Sequence, residues 1–330
     1  MNLKIFLAKM DISLALEETI LALANAVVET GNLIKISPIT KQLGKLNKKN
    51  IQGETQSKLD VLSNKIFIRN LQPTQSVIGA VSEEVEDEII FEKKRVENQQ
   101  LVFFDPLDGS SNVEPNVTVG SIFSVYKVKH EKAISKEDFL ETGSNQLAAG
   151  FSVYGPSMLL ILTVGDGTYK FCYDENKKVF VCTDEKILIN DETNEFSINM
   201  SNQRFWTKPV QEYVADCQLG TTGARKKDFN MRYIASMVAD LNRIITRGGV
   251  YLYPKDNKVP ERAGRLRLMY EINPMAFIVE QCNGACTDGI NRILDLKSEN
   301  IHQRVPVVIG SKNEVELVGR YYHKHCLLVK

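Results

Sequence analysis

The chain has 330 residues, 43% of them apolar, with 41 basic against 41 acidic side chains and a pI near 6.9. That size and apolar content suit two domains or one large one, and the even charge balance suggests neither nucleic acid nor an anionic membrane as a partner. No run of about 18 consecutive apolar residues occurs, so no membrane span is expected. Residues 1–10 have too short an apolar core for a secretory signal and lack the bias of a transit peptide. A cytoplasmic protein is expected, starting at Met1 or Met10. Cys172, Cys182, Cys217, Cys282, Cys286 and Cys326 show no paired CxxC spacing and read as reduced, structural thiols.

In chain order, Ile12, Leu16, Ile20, Leu23 and Val27 share one helical face over residues 11–30, with Asp11 or Ser13 as cap and Gly31 as stop. Residues 41–55 are polar and predict a mobile loop, after which a helix over 58–70 is led by Asp60. A short strand at 77–81 ends in Ser82-Glu83-Glu84. The apolar strand from 101 is expected to stop at Asp105, because Pro106 cannot donate to a ladder. Strands follow at 119–128, 147–154, 158–164, 168–173 and 178–182, two of them joined by a hairpin turn at Gly165-Asp166-Gly167.

The charged stretch 184–195 marks the boundary between an N-terminal part, residues 1–187, and a C-terminal part, residues 188–330. Beyond it the pattern predicts a helix at 234–246, a strand at 250–253, a polar loop at 255–264, a strand at 265–271, a helix at 274–281 and a last strand at 305–309. There is no internal repeat. Irregular alternation of helices and strands gives a mixed α/β class with layered sheets.

Chemistry concentrates where apolar strands end in acid. Asp105 and Asp108, with the Leu107 carbonyl between them, offer hard oxygen ligands to a magnesium-like cation. Gly109-Ser110-Ser111 then lets successive amides approach an anion. The same residues would also serve as an ordinary Asx turn. Glu83-Glu84 and Glu271, each expected at a strand end, tip the balance toward a metal site. Arg267 beside Glu271 suits a phosphate clamp. Arg225, Lys226, Lys227 and Arg232 form either a solvated loop or a second phosphate site. His130, His302, His323 and His325 lie away from the acidic motifs in sequence, which leaves metal-assisted attack by water as the economical mechanism.

The run Phe104-Asp105-Pro106-Leu107-Asp108-Gly109-Ser110-Ser111-Asn112, with Val119-Gly120-Ser121-Ile122-Phe123-Ser124-Val125-Tyr126, resembles the class I fructose-1,6-bisphosphatases, within the lithium-sensitive, magnesium-dependent sugar and inositol phosphatases. Further matches are Lys58-Leu59-Asp60-Val61-Leu62-Ser63-Asn64, Ser236-Met237-Val238-Ala239-Asp240, Tyr251-Leu252-Tyr253-Pro254, residues 266–276 and Ile301-His302-Gln303-Arg304. The Trp-Asp pair that finishes the metal site of inositol monophosphatases is absent.

The resemblance implies an α/β/α/β/α sandwich in two subdomains, a metal-binding and regulatory one over residues 1–187 and a sugar-phosphate-binding one over residues 188–330, assembled as a homotetramer or at least a dimer. It implies hydrolysis of fructose 1,6-bisphosphate to fructose 6-phosphate and phosphate, in gluconeogenesis. Glu83, Glu84, Asp105, Asp108, Glu271 and the Leu107 carbonyl would hold two or three Mg2+ per subunit, with Mn2+ and Zn2+ as alternatives. Glu54 and Asp60 would support that site, and Asp60 and Glu84 would help deprotonate the attacking water. The amides of Gly109 and Ser110, with Arg267, would hold the 1-phosphate, and Asp108 and Ser111 would belong to the substrate-binding residues beside them. Asn199, Tyr233, Tyr253 and Arg232 would hold the 6-phosphate, the arginine reaching in from a neighbouring subunit.

Three departures stand out. Arg265 replaces a substrate-binding lysine, a rigid fork for a point charge. Ala235 stands where the family has glycine. The N-terminal helix and turn that bind AMP in many relatives are not recognisable, so inhibition by AMP is expected to be weak or absent. The rival substrate is sedoheptulose 1,7-bisphosphate, and the rival class is a phosphosugar-binding or regulatory protein without catalysis.

Overall fold

The structure, a computed structural model, describes residues 1–49, 55–94, 96–130 and 133–327. The N-terminal part runs α1 (Leu3–Leu7), α2 (Leu14–Ile36), a hairpin of β1 (Lys45–Lys49) and β2 (Thr55–Ser57), then α3 (Lys58–Leu71). Next come β3 (Val77–Ser82), β4 (Ile89–Ile90), β5 (Gln100–Asp108), β6 (Gly120–Lys127), β7 (Gln146–Tyr154), β8 (Met158–Thr163), β9 (Thr168–Asp174) and β10 (Val179–Asp184). The C-terminal part runs β11 (Glu195–Ser197), α4 (Lys208–Leu219), β12 (Asn230–Met231), α5 (Met237–Arg247), β13 (Val250–Tyr253) and β14 (Leu266–Arg267). It ends with α6 (Asn273–Glu280), β15 (Ala285–Thr287), β16 (Arg304–Val305), β17 (Val307–Gly310) and α7 (Lys312–Leu327).

Strands β3 to β10 form an eight-stranded sheet in the order β10-β9-β8-β7-β6-β5-β3-β4. Within it β3 and β5 pair in parallel, Ser82 opposite Phe104, while their other pairings are antiparallel. Parallel neighbours finish at the same edge. Glu83 and Glu84 therefore emerge beside Asp105 and Asp108, and that pairing is what assembles the acidic site. A five-stranded sheet, β12-β11-β13-β17-β15, carries the C-terminal part.

Five layers result. On one face of the large sheet Phe104, Phe123 and Phe171 meet Phe6, Leu23, Val27 and Phe67 of α1, α2 and α3, with Phe67 and Phe104 stacked at 5.0 Å. On the other face Ile122, Ala149 and Phe151 pack on α5 and α6, which rest in turn on Tyr251, Val307 and Ile309 of the second sheet. Tyr213, Val214 and Val318 of α4 and α7 close the far side. This is the α/β/α/β/α sandwich expected.

Most elements match the sequence pattern, and the departures have local causes. Ser13 caps α2, its hydroxyl accepting from Leu16 N at 3.2 Å, but Gly31 does not stop the helix, which runs on to Ile36. A Cβ on Gly31 would lie 2.4 Å from Met158 Cε and 3.0 Å from the Tyr154 ring, so close packing, not a left-handed turn, selects glycine there. By length and composition α2 could cross a membrane. Its Leu16, Ile20, Leu23 and Val27 are instead buried against the sheet, as in a core helix.

Part of the expected loop at 41–55 is the β1–β2 hairpin, and its residues 50–54 lie outside the described residues. Strand β5 continues past Pro106. Between Asp105, opposite Ile122, and Asp108, opposite Gly120, it carries one extra residue, a bulge in which proline's missing N–H is not needed. The Ser121 hydroxyl donates to the Pro106 carbonyl there at 2.8 Å.

The strand expected at 265–271 is only β14. After Arg267 the chain winds into a π-helical turn, Leu268–Ile272, that leads directly into α6. A continuous apolar run fits either strand or helix, and here the Glu271 carboxylate accepts from Arg267 N at 2.5 Å and holds the turn. Gly165 and Gly167, at φ +91° and +81°, make the expected hairpin turn between β8 and β9. Helices α1, α4 and α7 are absent from the sequence reading, although Thr207 with Pro209 signals the start of α4.

Gly31→Val should cost about 1–3 kcal/mol through overpacking against Met158 and Tyr154. Urea unfolding measures it; an unchanged midpoint would show that this contact is not tight.

Candidate active site

The site is built upward from the bulge in β5. Leu107 N donates to Asp105 Oδ1 at 2.9 Å, which folds the aspartate back over the bulge. Gly109 then takes a left-handed φ of +76°, and the short helical turn Ser110–Asn112 follows it. A side chain at 109 would be strained and would also press on Ser236, 3.0 Å from its hydroxyl.

Carboxylate oxygens of Glu83, Asp105 and Glu271 all lie within 4.8 Å of one another, a grouping that could hold a metal ion. Arg267, 6% exposed, enters the same cluster, its Nη2 2.7 Å from Glu83 Oε1 and its Nη1 3.7 Å from Glu271 Oε2. Asp108 Oδ2 accepts from Val238 N at 3.1 Å. Glu84 accepts from Gln56 Nε2 at 2.5 Å. Asp60 forms a capping box with Ser57 at the start of α3, its Oδ2 accepting from Ser57 N at 2.7 Å.

Electrostatics show what this crowding costs. Burial, then Glu83, Asp108 and Glu271, drive the Asp105 carboxyl well above the usual range. Burial and the neighbouring charges push Glu84 to about 8, and burial above all pushes Asp108 to about 7 and Glu271 to about 8. Burial also raises Asp60, against the capping bonds from Ser57. One guanidinium does not neutralise so many acids. This donor set of oxygens, dense in carboxylate and short of positive charge, fits hard divalent cations.

The residues expected at the distal phosphate lie across the seam between the two sheets. Asn199 accepts from Ser201 N at 3.1 Å and caps a short helical turn, and Tyr233 is half-buried. Tyr233 and Tyr253 pack on the core between the sheets, and burial, then Tyr253, pushes the Tyr233 phenol up to about 12. Arg265 donates to both oxygens of Asp256 at 3.3 Å. Arg232 stands exposed at the edge strand β12, 3.9 Å from a Glu195 carboxylate that Arg243 already holds at 2.6 Å. Ser110 and Ser111 remain accessible at the loop, and Glu54 lies outside the described residues.

The other basic residues go elsewhere. Arg225 is drawn into a buried ion pair with Glu314, to which Tyr213 also donates, and Lys227 pairs with Glu192 at 3.3 Å. The second-phosphate reading of that cluster fails for Arg225, because its charge is spent anchoring the 223–232 segment to α7.

Model matches cover nearly the whole chain. The fructose-1-6-bisphosphatase N-terminal domain matches residues 5–185, and the fructose-1-6-bisphosphatase C-terminal domain matches residues 189–323. The chain belongs to the fructose-1,6-bisphosphatase family. It is similar to Leishmania major fructose-1,6-bisphosphatase in holo form, at 35% identity and a TM-score of 0.92, over 98% of this chain and 99% of that one. Against the apo form of the same enzyme the values are 33% and 0.86 over the same shares.

Within this family fold, some partners were not visible in sequence. His302, thirty-one residues beyond Glu271, spans the site from outside: its Nε2 bonds the Glu86 carbonyl at 3.0 Å and its Nδ1 the Tyr270 hydroxyl at 2.9 Å. A carbonyl only accepts, so Nε2 carries the proton in the neutral ring and Tyr270 donates to Nδ1. Asp240 is a second. Its signal was the family-like run 236–240, which named no role for it.

The raised carboxyl pKa values give a stability test. Unfolded carboxylates titrate near 4, so between about pH 4 and 8 the folded, cation-free protein holds extra protons and its stability falls as pH rises. In EDTA, Asp105→Asn should therefore gain Tm relative to the parent by about 3 °C on going from pH 6 to pH 8.5. A Tm difference independent of pH would show that the cluster is not protonated near neutrality.

Proposed function

We propose that this chain hydrolyses the 1-phosphate ester of fructose 1,6-bisphosphate to give fructose 6-phosphate and orthophosphate. The observation that carries it is the convergence of Glu83, Asp105 and Glu271 beside the left-handed Gly109 loop, in a chain that matches the family's models over both halves. Glu83, Glu84, Asp105, Asp108, Glu271 and the Leu107 carbonyl would hold two or three Mg2+, with Mn2+ or Zn2+ able to substitute. Bound there, the ions would supply charge neutralisation for the phosphoryl oxygens and the leaving group.

The chain's own groups do the rest. Backbone amides at Gly109, Ser110 and Ser111 cradle the 1-phosphate, and Arg267 adds a planar donor pair to it. Asp60 and Glu84, with Glu54 in support, would help take a proton from the attacking water. Asn199, Tyr233, Tyr253 and Arg265 orient the 6-phosphate. Arg232, loosely held at the β12 edge, completes that pocket in a neighbouring subunit, so the working form is a homotetramer or at least a dimer. The functional division falls at residues 187/188. The place of action is the cytoplasm, in gluconeogenesis.

The test is phosphate release from fructose 1,6-bisphosphate and from sedoheptulose 1,7-bisphosphate, with magnesium and then with EDTA. Faster, EDTA-sensitive release from the fructose ester is expected, and Asp105→Asn should lower kcat by about 10²–10³. Release from neither sugar would overturn the proposal in favour of a binding protein.

A further inference from the structure

A single buried carboxylate joins the two phosphate-binding halves. Asp240, in the first turn of α5 and 1% exposed, accepts from Ser197 Oγ at 2.7 Å and from Ile234 N at 3.2 and 3.3 Å. Ser197 ends β11 two residues before Asn199, and Ile234 directly follows Tyr233. Asn199 and Tyr233, two of the side chains assigned to the distal phosphate, are thus tethered, two peptides and one peptide away, to the same carboxylate.

The residues that come next grip the other half. Ala235 sits at φ +65°, in the left-handed region that favours glycine, and its carbonyl accepts from Asn112 Nδ2 at 2.9 Å. Ser236 packs on Gly109, and Val238 N donates to Asp108 Oδ2 at 3.1 Å. Positions 233 to 238 therefore form a short spacer with the distal pocket at one end and the Gly109 loop at the other. An alanine in a left-handed conformation holds it only if the surroundings impose it, and the bonds to Asp240 do so.

We propose that Asp240 is a positioning residue that sets the spacing between the two phosphate subsites, and so selects bisphosphates by the length of carbon chain between their phosphates. This rests on the function proposed above. Asp240 touches no substrate. Its contribution is to the simultaneous fit of both phosphates, which shows as KM for the bisphosphate and not as affinity for a single phosphate.

The experiment compares wild type with Asp240→Asn and Ser197→Ala, with folding checked by circular dichroism. KM for fructose 1,6-bisphosphate should rise about tenfold in Asp240→Asn and about threefold in Ser197→Ala, with kcat largely kept. Inhibition by inorganic phosphate, which occupies a single subsite and does not depend on the spacing between the two, should stay within about twofold of wild type. If Asp240→Asn does not fold, Ser197→Ala carries the comparison alone. Parallel weakening of substrate and phosphate, or an unmoved KM, overturns the inference while leaving the activity standing. A wild type that releases no phosphate overturns the activity and this inference together.

Discussion

The site depends on the cost of placing several carboxylates out of water at one sheet edge. Asp105, Asp108, Glu83 and Glu271 are all nearly buried, and Arg267 offers one positive charge among them. Isolated buried charges are expensive, so such groups hold protons or find counter-ions. The upward shifts at Asp105, Asp108, Glu84 and Glu271 are that cost expressed in protonation. The fold keeps the arrangement because strong local geometry imposes it: parallel pairing of β3 with β5, a bulge at Pro106, and a π-helical turn that points Glu271 back at Arg267. The bulge and the π-helical turn are local irregularities supported by a large regular core.

Much of the site could be read in the sequence because its chemistry is contiguous. Asp105 to Asn112 carries ligand candidates, turn and anion cradle in one loop, and Glu83-Glu84 ends an apolar strand. What was not readable depends on partners distant in the chain. Nothing near Asp240 announces Ser197 or Ile234 as its donors, and nothing near His302 announces Glu86. Arg225 looked like a free cation until Glu314, eighty-nine residues on, was seen to bury it. The π-helical turn reads as strand in the sequence because a fully buried apolar run has no periodicity to distinguish the two. Gly31 reads as a stop because glycine serves close packing and left-handed turns alike.

The two sheets contribute differently. The large sheet supplies acid and the glycine loop; the smaller one carries Asn199, Tyr233 and Tyr253, the residues of the proposed distal pocket. They meet through α5, whose first turn sends Val238 N to Asp108 and the Asp240 carboxylate to the opposite sheet. A site split across a packed seam in this way gains geometric definition from the core on both sides.

Isothermal titration of magnesium into EDTA-stripped protein, run near pH 7.5 in two buffers of different ionisation enthalpy, tests the central claim most directly. Cation binding should be accompanied by proton release, because carboxyls held protonated by burial must ionise to take up the ion, and Asp105→Asn should abolish or severely weaken the binding. Binding without proton release, or binding untouched by Asp105→Asn, would contradict the view that this acidic cluster is a cation site held in a protonated state.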